Sequence, residues 1–204
     1  MRAGIITVPD RQMYLNPLID VLESQGIKVK IFVDYKKQGH HYNFKRMLFD
    51  MLENAEKDEP ILLCDDDMIT TSDFLQRFNH IHKKAKDNLY TLFARQNHLF
   101  KPEIIKQGYI TKVQKRGFYG CAAVYINQND LPKNMFDWFE REGRFIISKQ
   151  RQNHLDVIMQ DYFVHNNIPW TITIPTLFEH VGFISSLGHS IGQSKLYIGN
   201  YENI

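Results

Sequence analysis

The sequence has little of what marks disulfide-stabilised, membrane-spanning or nucleic-acid-binding proteins. It contains two cysteines, Cys64 and Cys121, and because both lie in apolar segments they are predicted to be buried thiols in a reducing compartment. No apolar run reaches about 18 residues, and the amino-terminal apolar run is too short for a signal peptide. The formal net charge of +2 is too small to indicate nucleic-acid binding by itself. These absences predict a cytoplasmic protein without a membrane span.

Two common nucleotide-binding signatures are also missing. No Gly-x-Gly-x-x-Gly follows the first predicted strand and no Gly-Lys-Ser/Thr occurs, which excludes a Rossmann dinucleotide fingerprint and a P-loop. What is present is a hydrophobic content of 43% and an aromatic content of 13%, which are typical of a packed globular chain. A chain of 204 residues is long enough for one well-buried domain, and no clear boundary divides it.

The first half of the chain alternates short apolar runs with segments of helical periodicity. The pattern predicts strands at 3–8, 29–33, 61–64 and 89–94, and helices at 14–25, 43–55 and 74–84. This alternation with short connections is typical of an α/β fold with a mostly parallel central sheet flanked by helices. The second half is less regular, with a predicted strand within 117–126, a helix at 155–164 and a strand at 170–174.

Three aspartates, Asp65, Asp66 and Asp67, follow the apolar run ILLC directly. Such carboxylates are ordinary in polar turns and helix caps, and Asp73 is predicted to be such a cap. They are also the ligands that Mg²⁺ and Mn²⁺ prefer, with substrate phosphates completing the shell. Because ligands of these sheets collect beyond the carboxyl ends of strands, their position favours a cation site. We expect their mutual repulsion to be relieved only when a cation and a diphosphate bind.

Histidines are the second class of candidate ligand. His180, in LFEHVG, and His189, in SLGHS, could each complete a metal site that begins at the aspartates. His40 and His41 fall in a polar segment that is predicted to be an exposed loop.

A general base is predicted on the helix at 155–164. Asp156 and Asp161 are five residues apart there, which is about 140° around a helix axis, so both cannot face one site. Asp156, near the helix start, is better placed to project into a cleft. Stabilisation of the first helical turn by an acidic residue explains Asp156 equally well.

Taken together, these residues resemble those of GT-A-fold glycosyltransferases over most of the chain. TVPDR is similar to their nucleotide-sugar strand, LLCDDDM to their Asp-x-Asp motif, GFYGCAAVYI to their acceptor-side segment, and LDVIMQDYFVHNNIPW to their acidic helix. The segment PTLFEHVGFISSLGH resembles the ending of the N-acetylglucosaminyltransferase IV family and of small viral and phage glycosyltransferases. The sequence departs from that pattern at Glu179, where Gln is usual, and at Asp65, where Glu is frequent.

The resemblance implies a single GT-A domain, with a nucleotide-sugar-binding half at 1–100 and an acceptor-binding half at 101–204. It implies a metal-dependent glycosyltransferase that uses Mn²⁺ or Mg²⁺ to move a sugar from a UDP-sugar to an acceptor hydroxyl, with inversion. The acceptor would be a glycan, a glycoprotein or a modified DNA base, and a viral enzyme would act in the host cytoplasm. Two alternatives stay open: a nucleotidyltransferase acting on a sugar phosphate, and a non-catalytic nucleotide-sugar-binding module.

The same resemblance assigns roles to individual residues. Asp67 and His180 would bind the metal, and Asp156 would deprotonate the acceptor. Asp65 would reach the ribose or a metal-bound water. Asp66 is grouped with the nucleotide-binding residues, although as the middle residue it is expected to turn away. The remaining residues would line the uridine and ribose pocket: Thr7, Val8, Asp10, Arg11 and Asp34.

Overall fold

The computed structural model describes residues 1–56, 59–93, 107, 109–113, 122–127, 131–138, 141 and 155–181. Five helices lie in this part of the chain: α1 Gln12–Ser24, α2 His40–Glu53, α3 Phe74–Ala85, α4 Leu131–Trp138 and α5 Leu155–His165. Its strands are β1 Arg2–Thr7, β2 Lys28–Val33, β3 Ile61–Asp65, β4 Met68–Thr70, β5 Leu89–Thr91, β6 Tyr109–Val113, β7 Ala123–Ile126, β8 Trp170–Thr173 and β9 Phe178–His180.

A central sheet organises the described residues. Seven strands hydrogen-bond in the order β2-β1-β3-β7-β5-β8-β6, and β4 pairs with β9 in a separate two-stranded sheet. Strand β1 is parallel to β2 and β3, and β5 is parallel to β8. Strands β7 and β6 run against their neighbours, so five of the seven strands share one direction. The prediction of one α/β domain with a mostly parallel sheet is confirmed.

The order of the strands in the sheet differs from their order in the chain, and the antiparallel strand β7 is the clearest case. Strand β7 lies between β3 and β5 and is antiparallel to both, with Leu63 opposite Val124. Of the segment 117–126, in which a strand was predicted, residues 117–121 lie outside the described residues. The antiparallel insertion depends on pairing between distant segments, and local sequence patterns do not encode such pairing.

Helices cover both faces of the central sheet, as predicted. One buried cluster joins α2, α4 and α5 to one face, and a second joins α1 and α3 to the other. Gly4 in β1 permits the close approach of α2, because a β-carbon there would lie 2.8 Å from Cγ of Met47. Burying a leucine or phenylalanine side chain contributes about 1.5–3 kcal/mol. The apolar stripes of α1 and α3 are therefore major stabilising contacts: Leu15, Leu18, Leu22, Phe74, Phe78 and Ile81.

The pairing of β4 with β9 joins segments that are far apart in the chain. His180 is paired with Met68, and the Val181 amide donates to the Asp67 carbonyl at 2.9 Å. The hydroxyl of Thr70 donates to the Leu177 carbonyl at 2.7 Å. This ladder therefore carries His180 to the turn that contains the aspartates. Within the described residues, we find no helix with the length and apolar character that crossing a bilayer requires.

Candidate active site

The three aspartates lie at the carboxyl end of β3, where the chain turns into β4. Asp65 is the last residue of β3, and its amide donates to the Ala122 carbonyl at 3.0 Å. Asp66 and Asp67 form the turn, and both are buried, with only 2% and 3% of their surface exposed. Two buried carboxylates need compensating partners, because an unpaired buried charge is costly.

Asp66 points into the protein toward β1. Its Oδ2 accepts a hydrogen bond from the Thr7 hydroxyl at 2.5 Å, and its Oδ1 lies 3.0 Å from Nη1 of Arg11. Burial raises the pKa of Asp66 to about 6, although the Thr7 hydrogen bond and the Arg11 charge act in the opposite direction. The expectation that Asp66 turns away is therefore wrong, because this carboxylate contacts Thr7 and Arg11, two of the residues assigned to the nucleotide pocket.

Asp67 brings together the two residues that the resemblance assigned to a metal. Its Oδ2 accepts a hydrogen bond from Nη2 of Arg11 and lies 3.3 Å from Nε2 of His180. Two ligands of one octahedral ion, each at about 2.1 Å, are about 3 Å apart, so this pair fits a divalent cation. No group of three or more such ligands converges among the described residues. Substrate phosphates and water would therefore complete the shell.

Arg11 supplies the positive charge that the aspartate turn requires. It ends the short 3₁₀ turn Pro9–Arg11 that follows β1, and its guanidinium also lies over the Tyr14 ring at 5.5 Å. Burial alone would lower its pKa, but the hydrogen bond and charge of Asp67 outweigh burial and the pKa of Arg11 is raised. The expectation that the repulsion is relieved only when a cation and a diphosphate bind is therefore wrong, because this arginine already offsets part of it.

Asp65 is paired with His40, which was predicted to lie in an exposed loop. His40 begins α2 directly after Gly39, whose φ of 98° lies in the left-handed region, and its Nε2 is 3.0 Å from Oδ1 of Asp65. The ring of His40 stacks on Phe44 one turn later, at 6.2 Å. The prediction of an exposed loop is wrong, and the four-residue spacing of His40 and Phe44 was the signal that could have extended the helix.

Asp34 follows β2 and shapes the loop that leads to α2. Its two carboxylate oxygens accept the amides of Gln38 at 3.0 Å and Gly39 at 2.8 Å. Burial opposes its ionisation, but these backbone hydrogen bonds prevail and the pKa of Asp34 is lowered. Its predicted contact with a ribose remains a prediction. The other two residues assigned to that pocket lie in or beside the 3₁₀ turn, Val8 half-buried and Asp10 exposed.

Asp156 lies in the first turn of α5, and its side chain is outside the described residues. Four residues, 166–169, connect α5 to β8, so the helix start is directed toward the edge where β8 ends. Strand β8 shares the direction of β3, which makes this the edge of the aspartate turn. Asp161, one turn further on, is half-buried and burial raises its pKa. His189 and Cys121 lie outside the described residues.

The prediction that Asp73 caps a helix is confirmed for its position but not for its side chain. It occupies the residue before α3, but its side chain makes no capping hydrogen bond. Its Oδ2 instead accepts from Nε of Arg77 at 2.7 Å, one turn into the helix and near the surface.

Comparison with known proteins identifies the fold. No protein-family model and no curated relative matches the sequence. Among solved structures, S. aureus TarS 1–349 superposes with a TM-score of 0.50 and 13% identity, over 84% of this chain and 58% of that one. A197 from STIV gives a TM-score of 0.48 and 14% identity over 97% of this chain and 96% of that one. The apo-form glycosyltransferase GlyE of Streptococcus pneumoniae TIGR4 gives 0.43 and 14%, over 79% and 43%. The fold of this chain is that of the GT-A glycosyltransferases, as the sequence resemblance predicted.

Proposed function

We propose that the protein is a metal-dependent glycosyltransferase that moves a sugar from a UDP-sugar to an acceptor hydroxyl, with inversion. The observation that carries the proposal is the convergence of Asp67 and His180. Their side chains lie 3.3 Å apart at the carboxyl edge of a GT-A sheet, although 113 positions separate them in sequence numbering. A carboxylate and an imidazole in this arrangement suit Mn²⁺ or Mg²⁺ with a diphosphate as co-ligand.

The reaction releases a nucleoside diphosphate, so negative charge develops on the phosphates as the glycosidic bond breaks. A divalent ion held by Asp67 and His180 would stabilise that charge. Arg11, beside the same carboxylate, supplies a second cationic group within reach of the phosphates. Asp65, half-buried at the end of β3 with its Oδ1 beside His40, would reach a ribose hydroxyl or a metal-bound water.

The acceptor side of the proposal rests on Asp156. The topology directs the start of α5 toward the edge that carries the aspartate turn, where a carboxylate can remove the proton of an incoming hydroxyl. Attack from the side opposite the leaving group inverts the anomeric carbon. We propose a glycan, a glycoprotein or a modified DNA base as acceptor. A steep fall of acceptor binding with added salt would identify nucleic acid.

The donor is tested by thermal denaturation with UDP-, GDP-, TDP- and CMP-sugars, each with and without Mn²⁺. A ligand that binds only the folded state raises the melting temperature, so one screen reports base, sugar and metal dependence. We expect a shift with a UDP-sugar that requires Mn²⁺. Asp67→Asn should remove the shift and Asp73→Asn, on the surface, should keep it.

The reaction products distinguish a glycosyltransferase from a nucleotidyltransferase and from a non-catalytic binding module. A glycosyltransferase releases UDP from the UDP-sugar, whereas a nucleotidyltransferase releases pyrophosphate from a nucleoside triphosphate and a sugar phosphate. A binding module gives the thermal shift without either product. Absence of a shift with every donor would contradict the proposed function.

A further inference from the structure

Arg11 and His180 approach the same oxygen atom of Asp67. Nη2 of Arg11 donates to Oδ2, and Nε2 of His180 is 3.3 Å from that oxygen. A cation bound by Asp67 and His180 must therefore compete with the guanidinium for this oxygen. The competition is strong, because Asp67 is 3% exposed and its hydrogen bond to Arg11 is assisted by charge.

We propose that Arg11 exchanges partners when the donor binds: it neutralises Asp66 and Asp67 in the ligand-free protein, and contacts the diphosphate once a divalent ion is held by Asp67 and His180. This inference rests on the proposed function, since it takes a nucleoside diphosphate and a metal as the ligands of the site. It extends the role of Arg11 from lining the nucleotide pocket to linking the binding of the metal with the binding of the diphosphate.

The charges of the turn support the exchange. Asp66 and Asp67 share one arginine, which lies 3.0 Å from Asp66 and hydrogen-bonds Asp67. A divalent ion brings two positive charges to the same carboxylates, so the guanidinium is no longer required there. The diphosphate that arrives with the ion is negatively charged, and a guanidinium is well suited to bind it through two parallel hydrogen bonds.

The side chain of Arg11 has room to make such a movement. It lies at the end of the 3₁₀ turn that follows β1, and 19% of the side chain is exposed at the carboxyl edge of the sheet. The guanidinium carbon itself lies 5.5 Å from the centroid of the Tyr14 ring. The torsions of the long arginine side chain allow its guanidinium to turn toward a ligand bound at this edge.

The exchange has a thermodynamic consequence. The metal alone must displace Arg11 without offering it a new partner, whereas the metal with a diphosphate supplies one. Each ligand therefore raises the affinity of the other by the same factor. Direct contact between metal and phosphate contributes part of this coupling, and Arg11 contributes the rest.

The test is calorimetric titration of Mn²⁺ into the full chain, without and with saturating UDP, for the wild type and Arg11→Gln. Loss of one charge-assisted hydrogen bond corresponds to about a tenfold change in an equilibrium constant. We expect Arg11→Gln to bind Mn²⁺ alone about tenfold more tightly than the wild type. The increase in Mn²⁺ affinity that UDP causes should be about tenfold smaller in the variant.

Two further variants make the titration decisive. Arg77→Gln removes the same charge from a surface pair and should leave both Mn²⁺ affinities unchanged. Arg11→Lys keeps the charge but cannot bridge two carboxylates, so it should change the coupling in the same direction by less. It also replaces Arg11→Gln if that variant does not fold.

The outcomes separate the inference from the proposed function. Weaker Mn²⁺ binding in the folded Arg11 variant, or a coupling factor equal to that of the wild type, overturns the partner exchange while UDP and Mn²⁺ binding stand. Wild-type protein that binds neither UDP nor Mn²⁺ overturns both.

Discussion

The segment between β3 and α3 contains three aspartates that pair with arginines, and the two sets of ion pairs differ in burial. Arg11 pairs with Asp66 and Asp67, whose side chains are 3% and 5% exposed, whereas Arg77 pairs with Asp73, whose side chain is 38% exposed. The buried pair joins residues 55 and 56 positions apart, and the surface pair joins residues one helical turn apart. A surface pair contributes little to stability, but removing one partner of a buried pair leaves an uncompensated charge. Burial therefore distinguishes the pair at the proposed site from the surface pair.

The largest difference between the pairs is expected in catalysis. Asp67→Asn removes a charge from the proposed cation site and should lower turnover of a UDP-sugar by about 100-fold or more, by analogy with the loss of one electrostatic stabilising group. Asp73→Asn should retain wild-type turnover. Release of UDP measures both. Equal activity of the two variants would place the cation elsewhere.

Stability should separate the two arginines. Arg11→Gln leaves Asp66 and Asp67 buried without their cation, so we expect the free energy of unfolding of the metal-free protein to fall by about 3 kcal/mol. Urea denaturation of the wild type and the variant measures this change. A fall of less than about 0.5 kcal/mol would mean that the buried pair is no stronger than a surface pair.

The contributions of Asp66 and Asp73 to the free energy of unfolding should change with pH in opposite directions. The pKa of Asp66 is raised to about 6 in the folded protein, so its contribution to stability is present at low pH and decreases as pH rises through that value. From pH 4 to pH 6 the decrease amounts to about 2 kcal/mol.

Asp66→Asn should remove that dependence in the metal-free protein, as measured by the free energy of unfolding at each pH. Arg11, Asp65 and Asp67 carry the charges nearest to this carboxylate, and all three are retained in the variant. The pKa of Asp73 is lowered, chiefly by its hydrogen bond to Arg77, so its contribution is lost as pH falls. An unchanged slope in Asp66→Asn would contradict the assignment.

The smallest effect is expected at the surface pair. Arg77→Gln removes an exposed contact between residues four apart on one helix, and such pairs contribute about 0.3–0.5 kcal/mol. The unfolding midpoint in urea should barely move, and added salt should reduce the difference further. A loss of more than about 1 kcal/mol would show that α3 depends on Asp73 more than its exposure implies.

Much of the fold could be predicted because its signals are local. Alternating apolar runs and amphipathic segments identified β1 to β3 and α1 to α3. Gly26, with a φ of 75°, follows the end of α1, where glycine is common. The insertion of β7 between β3 and β5 could not be predicted. It depends on pairing between residues about 60 positions apart, such as Leu63 and Val124, and no local pattern specifies that partner.

Residues of the proposed site could be predicted where a sequence motif contains them. Contacts between side chains on different helices and strands could not. Asp67 and His180 were identified from their segments, and the structure brings them together. The partners of the aspartates were missed, because contact of Arg11 with Asp66 depends on the 3₁₀ turn after β1. The contact of His40 with Asp65 depends on where α2 begins.

The short ladder between β4 and β9 also has a consequence for the order of folding. Thr70 and Leu177, which it joins, are 107 positions apart, whereas β1, α1 and β2 are neighbours in the chain. Contacts of long sequence separation close large loops and form slowly. During refolding, far-ultraviolet circular dichroism should therefore recover before the capacity to bind a ligand at His180. The last event of folding would complete the proposed active site.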